Sequence, residues 1–286
     1  MIKKYLQLDQ LTGKDELYHY TSCHALQNIL QSGSLYATKS SFLNDTNEMA
    51  YILEVASRII DRVPRESWRV LLHKQIVDTM EDFKRHDIFV LSFSEDPDSI
   101  TLWAEFGNRT GYNLAMECDR LVEVIEQHRS IYCHGRVIYT RARQEAIIYE
   151  LLTKRLPLKV GIPFSMIMER EVRTPGTEAF ADLCRRFQKV VNVYAMFFKQ
   201  PEFAPEQEYR FVFRNPEKKD IHFREGDGFL LPFIEINVTG DGRMPLDRIT
   251  VAPKNHVDLA RRGMFQYAAA LGYDVPVQLS GIKLRY

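Results

Sequence analysis

Hydrophobic residues near the start of the chain follow two spacings, which predict a strand, a helix and a second strand. Runs rich in aromatic and β-branched residues, typical of strands, occur at 17–21 and 34–39. Between them, apolar residues at 25–30 recur at helical spacing. Ser22 precedes this stretch and Gly33 follows it, and these residue types commonly begin and end helices.

The same spacings predict the remaining elements. Helices are expected at about 49–60, 66–83, 99–106, 118–127 and 257–271, and strands at 88–93, 111–117, 135–140, 208–214, 228–238, 248–252 and 275–279. Asp45 and Glu48 resemble a capping box at the start of the helix at 49–60. Residues 141–199 are predicted to be mostly helical, with breaks near their prolines.

The irregular alternation of these elements indicates the fold class. Strands and helices show no βαβ rhythm and no internal repeat, which argues against a doubly wound parallel sheet. No stretch is rich enough in Ser and Gly to be a linker. We therefore expect one α+β domain spanning 1–286, with a helical insertion at about 141–199.

Charge and cysteine content narrow the function classes. The 286 residues include 38 Lys+Arg and 38 Asp+Glu, so the net charge produces no long-range electrostatic field that would attract nucleic acid. A local basic groove is still compatible with this composition. The four cysteines are scattered and form no CxxC pair. This pattern disfavours a disulfide framework or a zinc site and favours a reducing compartment.

Targeting and metal signals are also not found in the sequence. Residues 1–16 are too polar for a signal peptide, and no apolar run approaches the roughly 18–20 residues of a membrane span. There is no HExxH motif, Asp-rich loop or Gly-rich phosphate loop. We expect a cytoplasmic protein without a metal cofactor and without a membrane partner.

Four sequence blocks carry a family resemblance. They are LYHYTSCHALQNILQSGSLYATKSSFLNDTNE, VLSFSEDPDSITLWAEFGN, EQEYRFVF and ITVAP…VQLSGIKLRY. Together they resemble the bacterial domain of unknown function 2971 over almost the whole chain. That resemblance implies no activity.

The opening block is also remotely similar to ADP-ribosyltransferases, including DNA-targeting toxins of the DarT type and arginine-directed enzymes. The resemblance implies a split β-sheet, mixed or antiparallel with flanking helices, that grips NAD in a central cleft. The matching positions are His19, the run Ser92-Phe93-Ser94 and the run Glu206-Gln207-Glu208. This chain departs from the arginine-directed pattern, because His19 replaces Arg and Phe93 replaces Thr.

The resemblance suggests a role for each residue type. A carboxylate beside the ribose stabilises the oxocarbenium-like sugar that forms when nicotinamide leaves. Glu208 is the candidate, with Glu206 as a base, since positions i and i+2 of a strand share a face. The cofactor-binding set is predicted as His19, Tyr20, Thr21, Ser92, Ser94, Tyr36 and Trp103, with Phe42 as another aromatic candidate.

Each residue also has a structural interpretation. His19 between two tyrosines fits a structural histidine, and Ser92 and Ser94 could only satisfy backbone groups at a strand end. Glu208 could form a cross-face ion pair with Arg210 or with a neighbour. Glu206 could be a solvated residue at the strand entrance, and Trp103 could be a core residue.

These observations lead to one functional hypothesis and two alternatives. The hypothesis is a glycosyltransferase that moves ADP-ribose from NAD to an unknown macromolecular acceptor, either protein or nucleic acid. The protein would be a toxin or a phage-defence effector, and an antitoxin is a possible partner. The alternatives are an NAD glycohydrolase and a non-catalytic nucleotide-binding or sensor module on the same fold.

Overall fold

The computed structural model describes residues 6, 8–11, 15–43, 48–83, 87–107, 110–226, 228–240, 242–253 and 257–283. Its contacts divide the chain into two compact units. The helical unit comprises Met1–Leu8, Asn44–Asp87 and Val137–Ala204, and the sheet unit comprises Asp9–Leu43, Ile88–Arg136 and Pro205–Tyr286. The single domain expected from the sequence stays a prediction.

The elements follow the chain as mixed strands and helices. The strands are β1 (Glu16–Thr21), β2 (Ser34–Lys39), β3 (Ile88–Ser94), β4 (Tyr112–Glu117), β5 (Ile131–Arg136), β6 (Glu208–Arg214), β7 (Ile221–Gly226), β8 (Phe229–Asn237), β9 (Leu246–Val251) and β10 (Val277–Leu279). The α-helices are α1 (Cys23–Ser32), α2 (Glu48–Asp61), α3 (Glu66–Phe83), α4 (Ile100–Glu105), α5 (Cys118–Glu126), α6 (Arg141–Glu150), α7 (Leu156–Val160), α8 (Phe164–Arg173), α9 (Glu178–Tyr194) and α10 (Val257–Ala270). Short 3₁₀ segments lie at Ser40–Phe42, Pro201–Glu206 and Lys218–Asp220, and a π segment lies at Leu151–Arg155.

All described strands belong to one open sheet. Its order is β10-β9-β4-β1-β3-β2-β8-β7, and β6 pairs with β3 while β5 pairs with β6. The pair β9–β10 is parallel, whereas the other pairs are antiparallel. This arrangement confirms the α+β class with a mixed, mainly antiparallel sheet.

Strand β3 is the branch point of the sheet. One of its edges pairs with β6 along its whole length. On the other edge, β1 pairs only at Tyr18–Ser94, and β2 pairs only at Thr38–Val90 and Lys39–Phe89. The two strands therefore diverge along this edge of β3. We call the space between them, beside Leu91–Phe93, the gap.

The two faces of the sheet unit differ in what they bury. Side chains alternate along a strand, so Phe89, Leu91 and Phe93 share one face with Leu17 and Phe211 in the main apolar cluster. On the opposite face, a smaller cluster contains Tyr18, Tyr20, Leu102, Trp103, Ala115 and Ala252.

The helical unit has its own core. Buried residues of α2, α3 and α6 to α9 form one apolar cluster that includes Ile60, Trp68, Leu151 and Phe187. Thus the stretch 141–199 is largely helical, as the sequence predicts. No helix in the described part of the chain combines the length and the apolar character needed to cross a bilayer.

Local signals predict most boundaries but not all. Ser22 accepts a hydrogen bond from Ala25 N, and Gly33 adopts a left-handed conformation after α1, which confirms the β1-α1-β2 prediction. The strand predicted at 135–140 is wrong, because β5 lies at Ile131–Arg136 and Ile138 instead bridges to Phe198. Strand β7 was not predicted, since its exposed residues lack an apolar run. The proposed capping residue at position 45 lies outside the described residues.

Candidate functional site

His19 lies at the gap on β1. Its ring meets Phe93 edge-on, with centroids 5.6 Å apart, and it hydrogen-bonds the main chain of Ser92. Removal of the ring from water lowers the pKa of His19 to about 4, although the Ser92 bond acts in the opposite direction. The ring is therefore neutral at pH 7 and offers one donor and one acceptor.

The β2 side of the gap carries aromatic rings. Tyr36 is 37% exposed and stacks on Phe233, with ring centroids 4.1 Å apart and planes at 29°. Nearby on the chain, Phe42 stacks on Phe229 with centroids 6.5 Å apart. Tyr36 thus presents one ring edge or face to solvent while Phe233 holds it in place.

Glu208 and Arg210 form a buried ion pair on β6. Arg210 donates from Nε and from one terminal nitrogen to the two Glu208 carboxylate oxygens, both at 2.8 Å. Glu208 is 8% exposed and Arg210 is 1% exposed. Across the sheet, Glu208 faces Ser94 and Arg210 faces Ser92. This arrangement confirms that the two strands are neighbours, as predicted from the sequence, and it shows the ion pair that was the structural alternative for Glu208.

Arg210 was not among the site residues predicted from the sequence. Its signal was a charged residue within the otherwise apolar run Tyr209–Phe213. Because buried arginines in proteins are generally paired, that pattern could have indicated a buried partner.

Glu206 does not lie on the same strand as Glu208. It ends the 3₁₀ segment Pro201–Glu206, and Gln207 has a φ of 43° before β6 begins. The prediction that strand alternation aligns the two carboxylates is therefore wrong. Glu206 is 7% exposed, so its interpretation as a solvated residue is also wrong.

Ser94 stabilises the entry to β6. Its Oγ donates to the Glu206 carbonyl oxygen at 2.7 Å and accepts from Asp96 N at 3.0 Å. A buried hydroxyl that serves two main-chain groups has a structural role, as the alternative interpretation of the sequence expected.

Tyr20, Thr21 and Trp103 are buried in the sheet unit. The Tyr20 hydroxyl donates to Asp96 O at 2.7 Å and accepts from Ser99 N at 2.9 Å. Trp103 is 1% exposed, donates to Asp98 at 2.7 Å and packs edge-on against Tyr20. Trp103 is therefore a core residue that orders the loop after β3.

The fold brings some of the predicted site residues together and leaves others apart. Ser94, Glu206 and Glu208 adjoin one another at the ends of β3 and β6. By strand alternation, Glu208 shares a face with Ser94 and Tyr18, whereas His19 shares the opposite face with Phe93. His19 therefore lies at the gap, with the Ser92 main chain at its edge, whereas Glu208 lies on β6, which pairs with the other edge of β3.

Comparisons with known proteins give a family-model match over part of the chain and no activity. Residues 102–211 match the family model described as "Protein of unknown function (DUF2971)". No curated protein and no solved structure matches the chain. The matched stretch contains Trp103, Glu206, Glu208 and Arg210, while His19 precedes it. The match confirms the resemblance to the domain of unknown function 2971 family over residues 102–211, whereas the first and last of the four sequence blocks lie outside the matched stretch.

Proposed function

We propose that the sheet unit binds NAD at the gap and transfers ADP-ribose from it. The observation that carries the proposal is the divergence of β1 and β2 from one edge of β3. This split is what the resemblance to ADP-ribosyltransferases implies for an NAD cleft. The gap also interrupts the sheet, so a ligand lying in it can meet groups from both faces.

His19 supplies the polar recognition expected of such a cleft. With its pKa near 4, the neutral ring gives one N–H to the Ser92 main chain and keeps a second nitrogen as an acceptor. A ribose hydroxyl is a suitable donor for that nitrogen. Tyr36, partly exposed and held by Phe233, provides an aromatic surface for a flat ring.

Glu208 supplies the negative charge that a sugar cation needs. A carboxylate that is already oriented stabilises developing positive charge without reorganisation during the reaction. Arg210 provides that orientation through two hydrogen bonds to the carboxylate oxygens.

The same ion pair also favours a second candidate, a non-catalytic nucleotide-binding module. Arg210 engages both Glu208 oxygens and neutralises their charge. If the pair stays closed when NAD binds, Glu208 is a structural residue and no chemistry follows.

The test is NAD turnover by the full chain with a cell lysate as the source of acceptors. We expect released nicotinamide together with label on protein, DNA or RNA. In Glu208→Gln the turnover should fall by about 100-fold or more, as expected for loss of a charge that stabilises a transition state. Glu123→Gln, an exposed carboxylate on α5, is the matched control and should keep full turnover.

Folding must be separated from chemistry, because Glu208→Gln removes one charge of a buried ion pair. Thermal unfolding therefore accompanies each assay, and His19→Gln gives a second variant outside the ion pair. Nicotinamide release without label would indicate an NAD glycohydrolase. A stabilising thermal shift with NAD but no turnover would indicate the binding module. Wild-type turnover in both folded variants would contradict the assigned residues.

A further inference from the structure

Strand β7 ends the described sheet with an open edge. It pairs with β8, and no other described strand pairs with it. Residues 222–225 are exposed, and Phe223 is 61% exposed. Leu230, which is 63% exposed, lies opposite Glu225 on β8. An edge strand with exposed apolar side chains is a template for a further strand.

The hairpin geometry identifies which main-chain groups face outward. Gly226 pairs with Phe229 across a two-residue turn, and Gly228 has a φ of 85°. In such a hairpin the closing pair exchanges both hydrogen bonds, and alternate pairs follow. His222 and Arg224 therefore bond to β8, whereas Ile221, Phe223 and Glu225 direct their N–H and C=O groups outward.

Pro232 supports this assignment independently. It lies opposite Phe223 on β8 and has no N–H to donate. Proline fits a position that exchanges no hydrogen bonds with β7. The position of Pro232 thus agrees with the assignment of Phe223 to a pair that exchanges no hydrogen bonds between β7 and β8.

The charge pattern along this edge is complementary to the same edge of a second, antiparallel copy. The segment from Lys219 to Glu225 reads Lys-Asp-Ile-His-Phe-Arg-Glu. When it is laid antiparallel on a second copy with His222 at the centre, Lys219 meets Glu225, Asp220 meets Arg224, and Ile221 meets Phe223. A two-fold axis repeats each pair, so the register brings together four opposite-charge pairs and two apolar pairs.

We propose that β7 pairs with β7 of a second copy of this chain in that register, joining two sheets into one. The outward groups of Ile221 and Phe223 exchange the central hydrogen bonds, and the two His222 residues form the intervening pair without them. A shift of two residues would place Phe223 opposite Phe223 and His222 opposite Arg224, which removes the opposite-charge pairs within 219–225. The charges therefore select one register.

The flanking charges have partners within one copy that compete with the new pairs. Arg129 donates to Asp220, and Lys219 lies 2.9 Å from Glu217. Both pairs are exposed or partly exposed, so rearranging them costs little. Lys219 and Asp220 also lie in a 3₁₀ segment, so their pairs form at the ends of the shared ladder.

The oligomeric state of the full chain tests the proposal by sedimentation velocity over a range of concentrations. We expect a monomer–dimer equilibrium. Glu225→Lys places lysine opposite Lys219 and should raise the dimer Kd by about tenfold or more, since two pairs change sign. Adding Lys219→Glu restores opposite charges and should restore the dimer. Glu235→Lys, exposed on β8, should leave the equilibrium unchanged.

A disulfide trap tests the register directly. Cys23 is the exposed native cysteine among the described ones, so the background is Cys23→Ser. His222→Cys should then form a covalent dimer on oxidation, because the central pair brings its Cβ atoms within disulfide range. Glu235→Cys should stay uncrosslinked. A monomeric wild type, or a dimer indifferent to both the charge exchange and the trap, would overturn the proposal.

Discussion

At the residue scale, the Glu208–Arg210 pair is the most consequential contact. Two charges that are taken out of water stabilise a fold only weakly, yet removing one of them takes a buried countercharge away from the other. We therefore expect Glu208→Gln and Arg210→Met each to lower the free energy of unfolding by about 3 kcal/mol or more. Urea unfolding at pH 7 measures this.

The double variant distinguishes a coupled pair from two independent residues. Removing both charges avoids the isolated buried ion, so Glu208→Gln with Arg210→Met should cost at least about 1 kcal/mol less than the two single changes added together. Additive costs would show that other contacts of Arg210, not Glu208, balance its charge.

His19 gives a pH prediction with a definite sign. Its folded pKa, about 4, lies below the ordinary value of 6.5, so the folded state resists protonation. The stability that follows is full above pH 6.5 and is lost as the pH falls towards 4, up to about 3 kcal/mol. His19→Gln cannot titrate, so the loss between pH 7 and pH 4 should be smaller in that variant by this amount.

The measurement is urea unfolding of both proteins across this range. Carboxylates also titrate there, but they are common to the two proteins and cancel in the difference. Equal pH dependence would mean that the His19 ring is solvated when the protein folds. An NMR titration of the imidazole checks the pKa itself.

The sequence predicts part of the site for a clear physical reason. Strand alternation and chain order indicate that Ser94 and Glu208 are neighbours, and the register confirms it. The position of Glu206 could not be predicted the same way, because the positive φ of Gln207 breaks the alternation. Nor does local pattern tell on which face His19 meets β3, since this depends on pairings distant in sequence.

At the element scale, the link from α1 to β2 depends on Gly33. Its φ is 66°, and a Cβ there would lie 2.3 Å from Thr239 Cγ2. Gly33→Ala should therefore destabilise the fold by about 2–3 kcal/mol, combining the cost of a left-handed alanine with a steric overlap. Thermal and urea unfolding measure the change.

Thr239→Ser separates the two contributions. It deletes Cγ2 but keeps the hydroxyl that donates to Asn237 at 2.8 Å. In combination with Gly33→Ala it should recover the steric part and leave about 1 kcal/mol for the backbone conformation. No recovery would place the whole cost in the left-handed backbone.

Elements with strong local signals were predicted well, whereas β5 was misplaced and β7 was missed. Helix α3 was predicted at its observed bounds, and the caps of α1 identify both of its ends. Strand β7 has no continuous apolar run and pairs with β8 along its length, so its own residues give a weak signal. The gap likewise results from where β1 and β2 meet β3, which no local pattern encodes.

At the scale of the whole molecule, the two units have separate apolar cores. The main cluster of the sheet unit includes Phe89 and Phe211, and that of the helical unit includes Leu151 and Phe187. Units with their own cores often open separately in hydrogen exchange. The single domain expected from the sequence requires instead that they unfold together.

Glu171 offers a way to decide between these outcomes from inside the helical unit. Its carboxylate, 5% exposed, accepts from Gly176 N and Thr177 N, both at 2.8 Å, and from Thr177 Oγ1 at 2.6 Å. Burial raises the pKa of Glu171, but these hydrogen bonds outweigh it and lower the pKa. The carboxylate thus orders the turn that precedes α9.

Glu171→Gln keeps the size of the side chain but turns an amide NH₂ towards one of those donors, so we expect a loss of about 2 kcal/mol. Hydrogen exchange followed by mass spectrometry measures where the loss appears. Separate units predict faster exchange in α8 and α9 with unchanged protection in β3 and β6. Equal loss of protection in both units would instead support one cooperative domain over the whole chain. Glu178→Gln, exposed at the start of α9, is the control and should alter exchange little in either unit.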